Sequence, residues 1–298
     1  MTTASARCDL VVNPTAGRGR AGRVLPRVLH TLRAVLPDTD VRVVEARDVA
    51  EAEAGCRRAV DETDLLVVMG GDGMAHLGIN ACAGTSVPLG VLPAGTGNDL
   101  CRGLGLPLEL PAAVHALATG SVRQVDLARV QRPDGSVRWV GCVVSTGFDS
   151  RVALRTARMR VPMGPLAYAW SALAELRTFS PLDYRLVIDG TPRALASMAI
   201  FVCNAEFFGG GMRAYPGADP SDGRLDLTII HPVSRLTLLR LLPSLYSGGF
   251  VTHPAVERLQ ATSVVLDGEG LIGSGDGELL GDVPLVVSSE PAALNVLG

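Results

Sequence analysis

The chain of 298 residues contains no lysine, so all 27 of its basic side chains are arginine. This absence excludes the P-loop class of nucleotide-binding proteins, because the motif GxxxxGK[ST] requires its lysine. A phosphate-binding site in this chain must therefore use arginine, backbone amides or a metal ion. The net charge of −3 also argues against general nucleic-acid binding, and we expect no nucleic-acid partner.

Cysteine is sparse and scattered, and long apolar runs are missing. The six cysteines show no CxxC spacing, which favours free thiols in a reducing cytoplasm over a disulfide framework. No targeting signal is visible at the N-terminus, and no apolar run is long enough to cross a bilayer. We therefore expect a soluble, cytoplasmic protein whose membrane contact is at most peripheral.

Residues 64–105 contain the same pattern twice. The apolar runs 65–69 and 89–92 are typical of strands that are buried on both faces. Each run ends in a polar, glycine-containing loop that leads into helix-like sequence. The loop residues are Gly70, Gly71, Asp72 and Gly73, and then Gly95, Thr96, Gly97, Asn98 and Asp99. Glycines and helix N-termini bring amide groups close to an anion, so two adjacent loops predict a crevice for a polyphosphate.

A third loop follows the first predicted strand, residues 8–12. Its residues are Asn13, Pro14, Thr15, Ala16 and Gly17, with Arg18 and Arg20 immediately behind them. An ordinary turn between a strand and a helix explains this segment as well as a phosphate-binding loop does.

Two domains follow from the change in periodicity along the chain. Up to residue 121, apolar strands alternate with helical segments, which predicts an α/β domain with a parallel, doubly wound sheet. From residue 122 the pattern has period two, and residues 132–136 form a turn signal between two strands, the second of them over 137–144. A further strand is expected over 196–204, and a helix is expected over 236–246. We expect residues 122–291 to form a second domain that is mainly antiparallel β.

The motif GGDG at 70–73, followed by PAGTGNDLCRGLG at 93–105, resembles the catalytic domain of the diacylglycerol kinase and sphingosine kinase family, in its soluble bacterial branch. The resemblance continues, in order, through residues 13–17, 146–149, 216–226 and 276–278. It implies an ATP-dependent lipid kinase that uses Mg²⁺ and phosphorylates a primary hydroxyl, with diacylglycerol favoured by the bacterial-like brevity of the chain. It also implies that residues 13–17 contact the nucleotide, that 146–149 line a cleft, and that 292–298 complete the first domain.

The same resemblance assigns roles to individual residues. Asp72 and Asp99 are expected to partner Mg²⁺ or its waters, while Thr96 and Asn98 bond the nucleotide. Asp276 and Glu278 are expected to act on the acceptor hydroxyl, with Asp72 as a further catalytic group. A structural Mg²⁺ is expected on Asp219, Asp222 and the carbonyl of Arg224, although β-turn chemistry accounts equally well for these residues.

Asp-Gly-Glu occurs twice, at 267–269 and at 276–278. Only the second copy is followed by the short turn, proline, strand and closing apolar segment that are typical of the family. Two carboxylates two residues apart on an extended backbone point to the same side. We therefore expect Asp276 and Glu278 to share one site and Asp267 to be dispensable.

Three positions depart from the family pattern. Met74, His76 and Leu77 follow GGDG where relatives usually carry threonine, asparagine and glutamate. This departure motivates one alternative, a nucleotide-binding lipid sensor or transfer protein without turnover. A second alternative is an NAD kinase, which shares GGDG-like features; the loop at 93–99 and the late Asp-Gly-Glu argue against it.

Two segments could contact a lipid. Arg151, Arg155, Arg158 and Arg160 precede the apolar stretch 161–173, and no acidic residue lies among them. They form either a solvated face or an interfacial element that attracts anionic headgroups. The apolar residues 236–246 either line a lipid pocket or pack in the core. The expected partner is a lipid substrate at a membrane surface, and the sequence leaves monomer and homodimer open.

Overall fold

The computed structural model describes residues 6–159 and 165–298, without the side chains of 165–169. Arg160 and the start of the apolar stretch 161–173 therefore lie outside the described residues. The chain forms two units. The first contains the residues up to Leu127 together with Pro291–Gly298, and the second contains Ala128–Glu290.

The first unit is built on a parallel sheet. Its strands lie in the order β2, β1, β3, β4, and the end of a final strand, β18, joins them where Val296 lies beside Leu89. The elements are β1 (Ala6–Val12), α1 (Ala16–Val35), β2 (Thr39–Glu45), α2 (Val49–Glu62), β3 (Leu65–Gly70), α3 (Asp72–Cys82), β4 (Leu89–Pro93), α4 (Asp99–Gly103), α5 (Leu110–Thr119) and the start of β5 (Val122–Gln131).

Helices cover both faces of this sheet, as alternation along the strands requires. Leu10 and Val12 of β1 belong to a buried cluster with residues of α1 and α5. On the other face, Gly55 of α2 packs beside Val11, and a Cβ on Gly78 of α3 would lie 2.7 Å from the side chain of Leu89. The predicted doubly wound α/β domain is confirmed.

The second unit is mainly antiparallel β, as predicted. One sheet has the order β14, β13, β10, β7, β16, β17, and the other contains β9, β8, β15 and the first part of β18, with the hairpin β5–β6. A single buried cluster joins side chains of both sheets. The strands are β6 (Val137–Val140), β7 (Val143–Gly147), β8 (Leu182–Ile188), β9 (Thr191–Ser197), β10 (Ala199–Cys203), β11 (Phe207–Phe208), β12 (Met212–Arg213), β13 (Leu225–Ile230), β14 (Val256–Ala261), β15 (Ser263–Asp267), β16 (Ile272–Gly275), β17 (Glu278–Asp282) and β18 (Leu285–Leu297).

The helices of the second unit lie in two stretches of the chain. They are α6 (Phe148–Ala157), α7 (Pro165–Leu176), α8 (Arg235–Leu241), α9 (Ser244–Ser247) and a 3-10 helix at Gly249–Thr252. The predicted helix over 236–246 is interrupted between α8 and α9, where Pro243 cannot supply an amide to a continuing helix. Within the described part of the chain, no helix is long and apolar enough to span a membrane.

Two predicted strands are each split in the structure. The strand expected over 137–144 stops at Val140 and restarts at Val143 in the other sheet, because the amides of Gly141 and Cys142 bond to a side chain instead of a strand. The strand expected over 196–204 is divided at Met198 between β9 and β10, which also belong to different sheets.

Candidate functional site

The loop after β1 turns sharply before α1 becomes regular. Gly17, Arg18 and Gly19 are three consecutive residues with positive φ, at 58°, 59° and 79°. The side chain of Asn13 accepts hydrogen bonds from the amide and hydroxyl of Thr15, at 3.0 and 2.7 Å. A Cβ on Gly17 would lie only 2.4 Å from the carbonyl oxygen of Ala94. Glycine is therefore required at position 17 for the loop after β1 to approach the loop after β4.

The loops after β3 and β4 pack backbone to backbone. The amides of Ala94 and Gly95 donate to the carbonyl of Gly70 at 2.7 and 3.1 Å. A Cβ on Gly95 would lie 2.4 Å from the Cα of Gly71. Gly95 therefore permits contact between the two loops. The sequence predicted that this glycine lets the backbone come close to a phosphate, and it did not predict the contact between loops.

Asp72 joins these two loops. Its carboxylate accepts the amides of Asn98 and Asp99 at 2.9 and 2.5 Å. Asn98 has a positive φ of 55° and bonds the backbone of Gly95 through both ends of its side-chain amide. Asp72 also lies in the first turn of α3, where the helix dipole favours a negative charge. Asp72 thus shapes the loops as well as carrying charge at their surface.

The predicted nucleotide residues are therefore brought together. The strands β1, β3 and β4 are neighbours in the parallel sheet, so their loops meet at one edge. The helix α3 begins at Asp72 and Gly73. Amides in the first turn of a helix have no acceptor within that helix, because the carbonyl four residues earlier lies outside it. Thr96, Gly73, Arg18 and Arg20 are exposed beside them. Glycine backbone, helix termini and arginines are the groups that bind a polyphosphate.

Of the three departures from the family pattern, Met74 and His76 are buried in the first unit and Leu77 is half-buried. Met74 is buried against Gly70, where an added Cβ would lie 2.4 Å from its Cγ. His76 is buried, with its Nε2 3.2 Å from the side-chain nitrogen of Asn80. Cys101, in the neighbouring helix α4, is no nucleophile, because burial raises the pKa of its thiol to about 12.

The second Asp-Gly-Glu forms a tight turn, so the predicted extended geometry is wrong. Asp276 and Gly277 both have positive φ, 50° and 87°, and connect β16 to β17 as a two-residue hairpin loop. Asp-Gly is a favoured pair for this turn because both central positions require positive φ. The side chains of Asp276 and Glu278 therefore do not project from one extended strand.

The carboxylate of Asp276 is held by backbone amides. It accepts hydrogen bonds from Gly141 at 2.7 Å, Cys142 at 2.9 Å and Val143 at 3.2 Å. Glu278, by contrast, is exposed. Asp276 thus fixes the break between β6 and β7, and it leads directly into the strand that carries the second carboxylate.

A buried hydroxyl cluster lies next to this turn and was not predicted. Ser145 donates to a carboxylate oxygen of Asp149 at 2.6 Å, and its Oγ lies 2.8 Å from that of Ser274. Ser150 lies 3.1 Å from Ser274 and donates to the backbone of Ser145. Ser274 precedes Asp276 by two residues. The cluster therefore connects the predicted 146–149 segment to the strand that leads into Asp276.

Asp149 also lines an apolar cavity within the second unit. Side chains from α6, α7, β10, β11, β12, β13, α8, α9 and the 3-10 helix surround the cavity, among them Phe148, Phe201, Phe208, Met212, Leu241 and Phe250. Of the lining residues that the structure describes, Asp149 alone carries a charge. The described wall of the cavity is therefore apolar except for this one carboxylate.

The predicted metal residues form two local turns. Asp219 Oδ1 accepts from the amide and hydroxyl of Ser221 at 3.0 and 2.5 Å, and Asp222 Oδ1 accepts from the amide of Arg224 at 2.9 Å. Among residues 6–159 and 165–298, no group of three or more His, Cys, Asp or Glu side chains is placed to hold a metal ion. The oxygen-only donors at 219, 222 and 224 suit a hard cation that keeps several waters. Nearby Asp226 is buried, which raises the pKa of its carboxyl.

The arginines of the basic segment are partly neutralised. Buried Glu175 of α7 accepts two hydrogen bonds from Arg155, at 3.0 and 2.8 Å, and lies 3.8 Å from Arg151. The fold thus brings an acid from the next helix to a basic segment whose own sequence contains none.

Comparison with known proteins agrees with this architecture. Residues 7–130 match the family described as diacylglycerol kinase catalytic domain, and residues 142–298 match the YegS C-terminal NAD kinase beta sandwich-like domain. The chain is 39% identical over 292 residues to a diacylglycerol kinase of Mycobacterium tuberculosis (strain CDC 1551 / Oshkosh), covering 96% of this chain and 93% of that protein. It is 26% identical to a diacylglycerol kinase of Staphylococcus carnosus (strain TM300), covering 93% and 90%.

A solved structure supports the fold. A crystal structure of a diacylglycerol kinase from Bacillus anthracis str. Sterne superimposes with a TM-score of 0.72 at 19% identity, covering 99% of this chain and 98% of that one. An α/β domain with a kinase-type catalytic domain match, joined to a β-sandwich-like domain, defines a phosphotransferase class. The chain belongs to the diacylglycerol kinase family.

Proposed function

We propose that this enzyme transfers the γ-phosphoryl group of ATP to the primary hydroxyl of diacylglycerol. The observation that carries the proposal is the set of three interlocked loops at the ends of β1, β3 and β4. Phosphoryl transfer depends on positioned phosphates and neutralised charge more than on covalent chemistry by the protein. Loops held rigidly against each other meet the first of these needs.

The first unit supplies the nucleotide contacts in this proposal. Amides at the start of α3 and the amides of Thr96 and Gly97 bind phosphate oxygens, with the exposed Thr96 adding a hydroxyl, because the amides of Gly95, Asn98 and Asp99 already donate within the protein. Arg18 and Arg20 supply the positive charge that the missing lysine would provide elsewhere. Asn98 keeps the loop in shape, because its side chain already bonds Gly95.

Oxygen ligands at two places would hold Mg²⁺. Asp72 and Asp99 would hold an ion at the phosphates through water molecules, because the oxygens of Asp72 already accept amides. A second, structural ion would lie on Asp219, Asp222 and the carbonyl of Arg224. A bound ion at the phosphates neutralises the charge that develops during transfer.

The second unit supplies the acceptor side. Asp276 has a fixed carboxylate, because three amides hold it, and Glu278 follows it as an exposed carboxylate. We assign to this pair the acceptance and orientation of the hydroxyl proton, which is general-base catalysis. The apolar cavity beside Asp149 takes the acyl chains. The enzyme meets its lipid as a peripheral protein on the cytoplasmic side of the membrane, where ATP is present.

The test is a substrate panel with purified protein. Radiolabelled ATP and Mg²⁺ are incubated separately with dispersed diacylglycerol, a sphingoid base and NAD, and products are separated by chromatography. We expect labelled phosphatidic acid from diacylglycerol as the main product.

Two other results would replace the proposal. Label in NADP, with none in lipid, would assign an NAD kinase. Nucleotide binding by calorimetry without any labelled product would assign a sensor or transfer protein without turnover.

A further inference from the structure

Large apolar side chains are exposed on three of the helices that border the cavity, α7, α8 and α9. Trp170 and Leu173 of α7 are 51% and 54% exposed, Leu236 and Leu239 of α8 are 56% and 38% exposed, and Tyr246 of α9 is 57% exposed. We name these five residues the apolar rim. Soluble proteins seldom group exposed large apolar residues unless they contact a partner or a membrane.

The rim follows from helix geometry. On α7, Ala172 and Leu176 are buried four residues apart, while Trp170 and Leu173 are exposed three residues apart. Each helix therefore has apolar residues on its buried and its exposed sides, which an ordinary amphipathic surface helix does not.

The cavity joins the helices of the rim. Ala172 of α7 and Leu238 of α8 line the same cavity, next in sequence to Leu173 and Leu239 of the rim. Arg235 ties the start of α8 to the segment after α7 by donating to the carbonyl of Phe179 at 3.0 Å. The exposed residues therefore belong to one neighbourhood of the second unit.

Charge identifies the partner chemistry. The segments 150–174 and 231–256, which contain the rim, include no aspartate or glutamate, although they include six arginines. Glu175 partly neutralises two of these arginines, whereas Arg158 and Arg240 are exposed, as is Arg177 just after α7. An apolar surface bordered by positive charge is complementary to an anionic bilayer, and tryptophan and tyrosine favour the bilayer interface.

We propose that the apolar rim inserts into the headgroup and upper acyl region of an anionic lipid bilayer, and that this places the cavity beside the membrane. The inference rests on the proposed function in taking the partner to be a lipid surface. Insertion buries apolar area, so it persists when salt screens the arginines.

Trp170 provides a direct measurement. The chain has two tryptophans, so Trp139→Phe leaves Trp170 as the only one. The full-length variant is mixed with vesicles of phosphatidylglycerol and phosphatidylcholine that contain no diacylglycerol, and without nucleotide. We expect a blue shift of the emission and quenching by lipids brominated on their acyl chains. An emission spectrum that vesicles leave unchanged would overturn the proposal.

Charge insertion tests the rim itself. Leu173→Glu and Leu236→Glu, made in the single-tryptophan protein, should each weaken vesicle binding by about tenfold or more, because an apolar contact is replaced by a charge. Val49→Glu is the matched control, since Val49 of α2 is 72% exposed and far along the chain from the rim. Thermal unfolding of each variant verifies folding. Equal vesicle binding by all three folded variants would also overturn the proposal.

The outcome is separable from that of the proposed function. If vesicles shift the emission but no lipid is phosphorylated, the kinase proposal fails and the docking surface stands. If diacylglycerol in detergent micelles is phosphorylated but vesicles leave the emission of Trp170 unchanged, only the proposal that the apolar rim inserts into a bilayer fails. Emission that shifts with protein concentration and not with vesicles would assign the rim to a second copy of the chain.

Discussion

The two copies of Asp-Gly-Glu have the same sequence and different structures. Asp267 ends strand β15, accepts the amide of the next residue, Gly268, at 2.8 Å, and pairs with Arg185 of the adjacent strand at 2.9 Å in a largely exposed ion pair. Asp276 lies in the turn between β16 and β17 and accepts three backbone amides. A carboxylate bonded to amides is fixed by the fold, whereas one bonded to an exposed arginine is held loosely and shielded by solvent.

The difference shows what a tripeptide motif specifies. Aspartate and glycine favour a turn in both places, but the strands on each side decide which backbone groups the aspartate reaches. At Asp276 those groups are the amides at the break between β6 and β7, which no strand uses. The role of the motif therefore depends on its neighbours in space.

The largest expected effect separates the two copies. Asp276→Asn should lower kcat by about a hundredfold or more, the usual worth of a general base, and Glu278→Gln should do the same. Asp267→Asn and Glu269→Gln should leave kcat close to that of the unaltered enzyme. The measurement is steady-state turnover with dispersed diacylglycerol.

Stability measurements keep this comparison interpretable. Asparagine at 276 retains one oxygen acceptor, so the variant should still fold, which urea unfolding verifies. Activity lost with Asp267→Asn and kept with Asp276→Asn would reverse the assignment of the two copies.

A smaller effect is expected at Asp72, another carboxylate that accepts backbone amides. Asp72→Asn keeps one of two acceptors for the amides of Asn98 and Asp99, so the loops lose part of their mutual anchoring. We expect the Kd of a non-hydrolysable ATP analogue to rise about tenfold, which corresponds to about 1.4 kcal/mol. Calorimetric titration measures it.

Asp64→Asn is the matched control for Asp72. The Asp64 side chain also accepts a backbone amide, that of Arg7 at 2.8 Å, at the start of the strand and not at its end. It should leave nucleotide affinity unchanged. Equal affinity of both variants would mean that Asp72 does not organise the nucleotide loops.

Much of the fold and the first-unit site could be predicted because their signals are local. Buried strands, glycine loops and helix starts repeat within residues 64–105, a stretch long enough for one strand–helix–strand unit of about 30 residues or more. The order of parallel strands then brings the loops to one edge. Local sequence does not show that Gly95 must contact Gly71, because that requirement comes from packing between loops.

The second-unit features depend on contacts between distant residues. Ser145 and Ser274 are 129 residues apart, and no pattern around either one identifies the other. The described wall of the cavity likewise combines residues from Phe148 to Phe250, which are far apart along the chain. The Asp-Gly pair at 276–277 is itself a local indication of a hairpin turn. An extended backbone was expected because the motif was assigned from its place in the family's order of motifs and not from its own turn chemistry.

Glu257 extends the comparison to an arginine-bonded carboxylate with more partners than Asp267. Arg193 binds it through two nitrogens, each at 2.7 Å, and His231 Nε2 lies 2.8 Å from it. The hydrogen bond from Arg193, followed by that from His231, lowers the pKa of Glu257 from 4.5 to about 2. This surface pair is therefore more strongly held than an isolated ion pair.

The smallest expected effect follows from that pKa. Because the folded-state pKa is below the unfolded value, the stabilisation is complete above about pH 4.5 and is lost as the pH falls towards about 2. The two side chains are 36% and 34% exposed, so solvent screening limits the contribution to about 1 kcal/mol. Urea unfolding of the unaltered protein and of Glu257→Gln should differ by this amount at pH 6, and the difference should shrink steadily below pH 4.5. The stability difference between the unaltered protein and Arg193→Gln should depend on pH in the same way, since this variant loses the hydrogen bond that is the first cause of the lowered pKa of Glu257. A difference that stays constant down to about pH 2.5 would mean that packing, and not the charge of Glu257, stabilises this contact between β9 and β14.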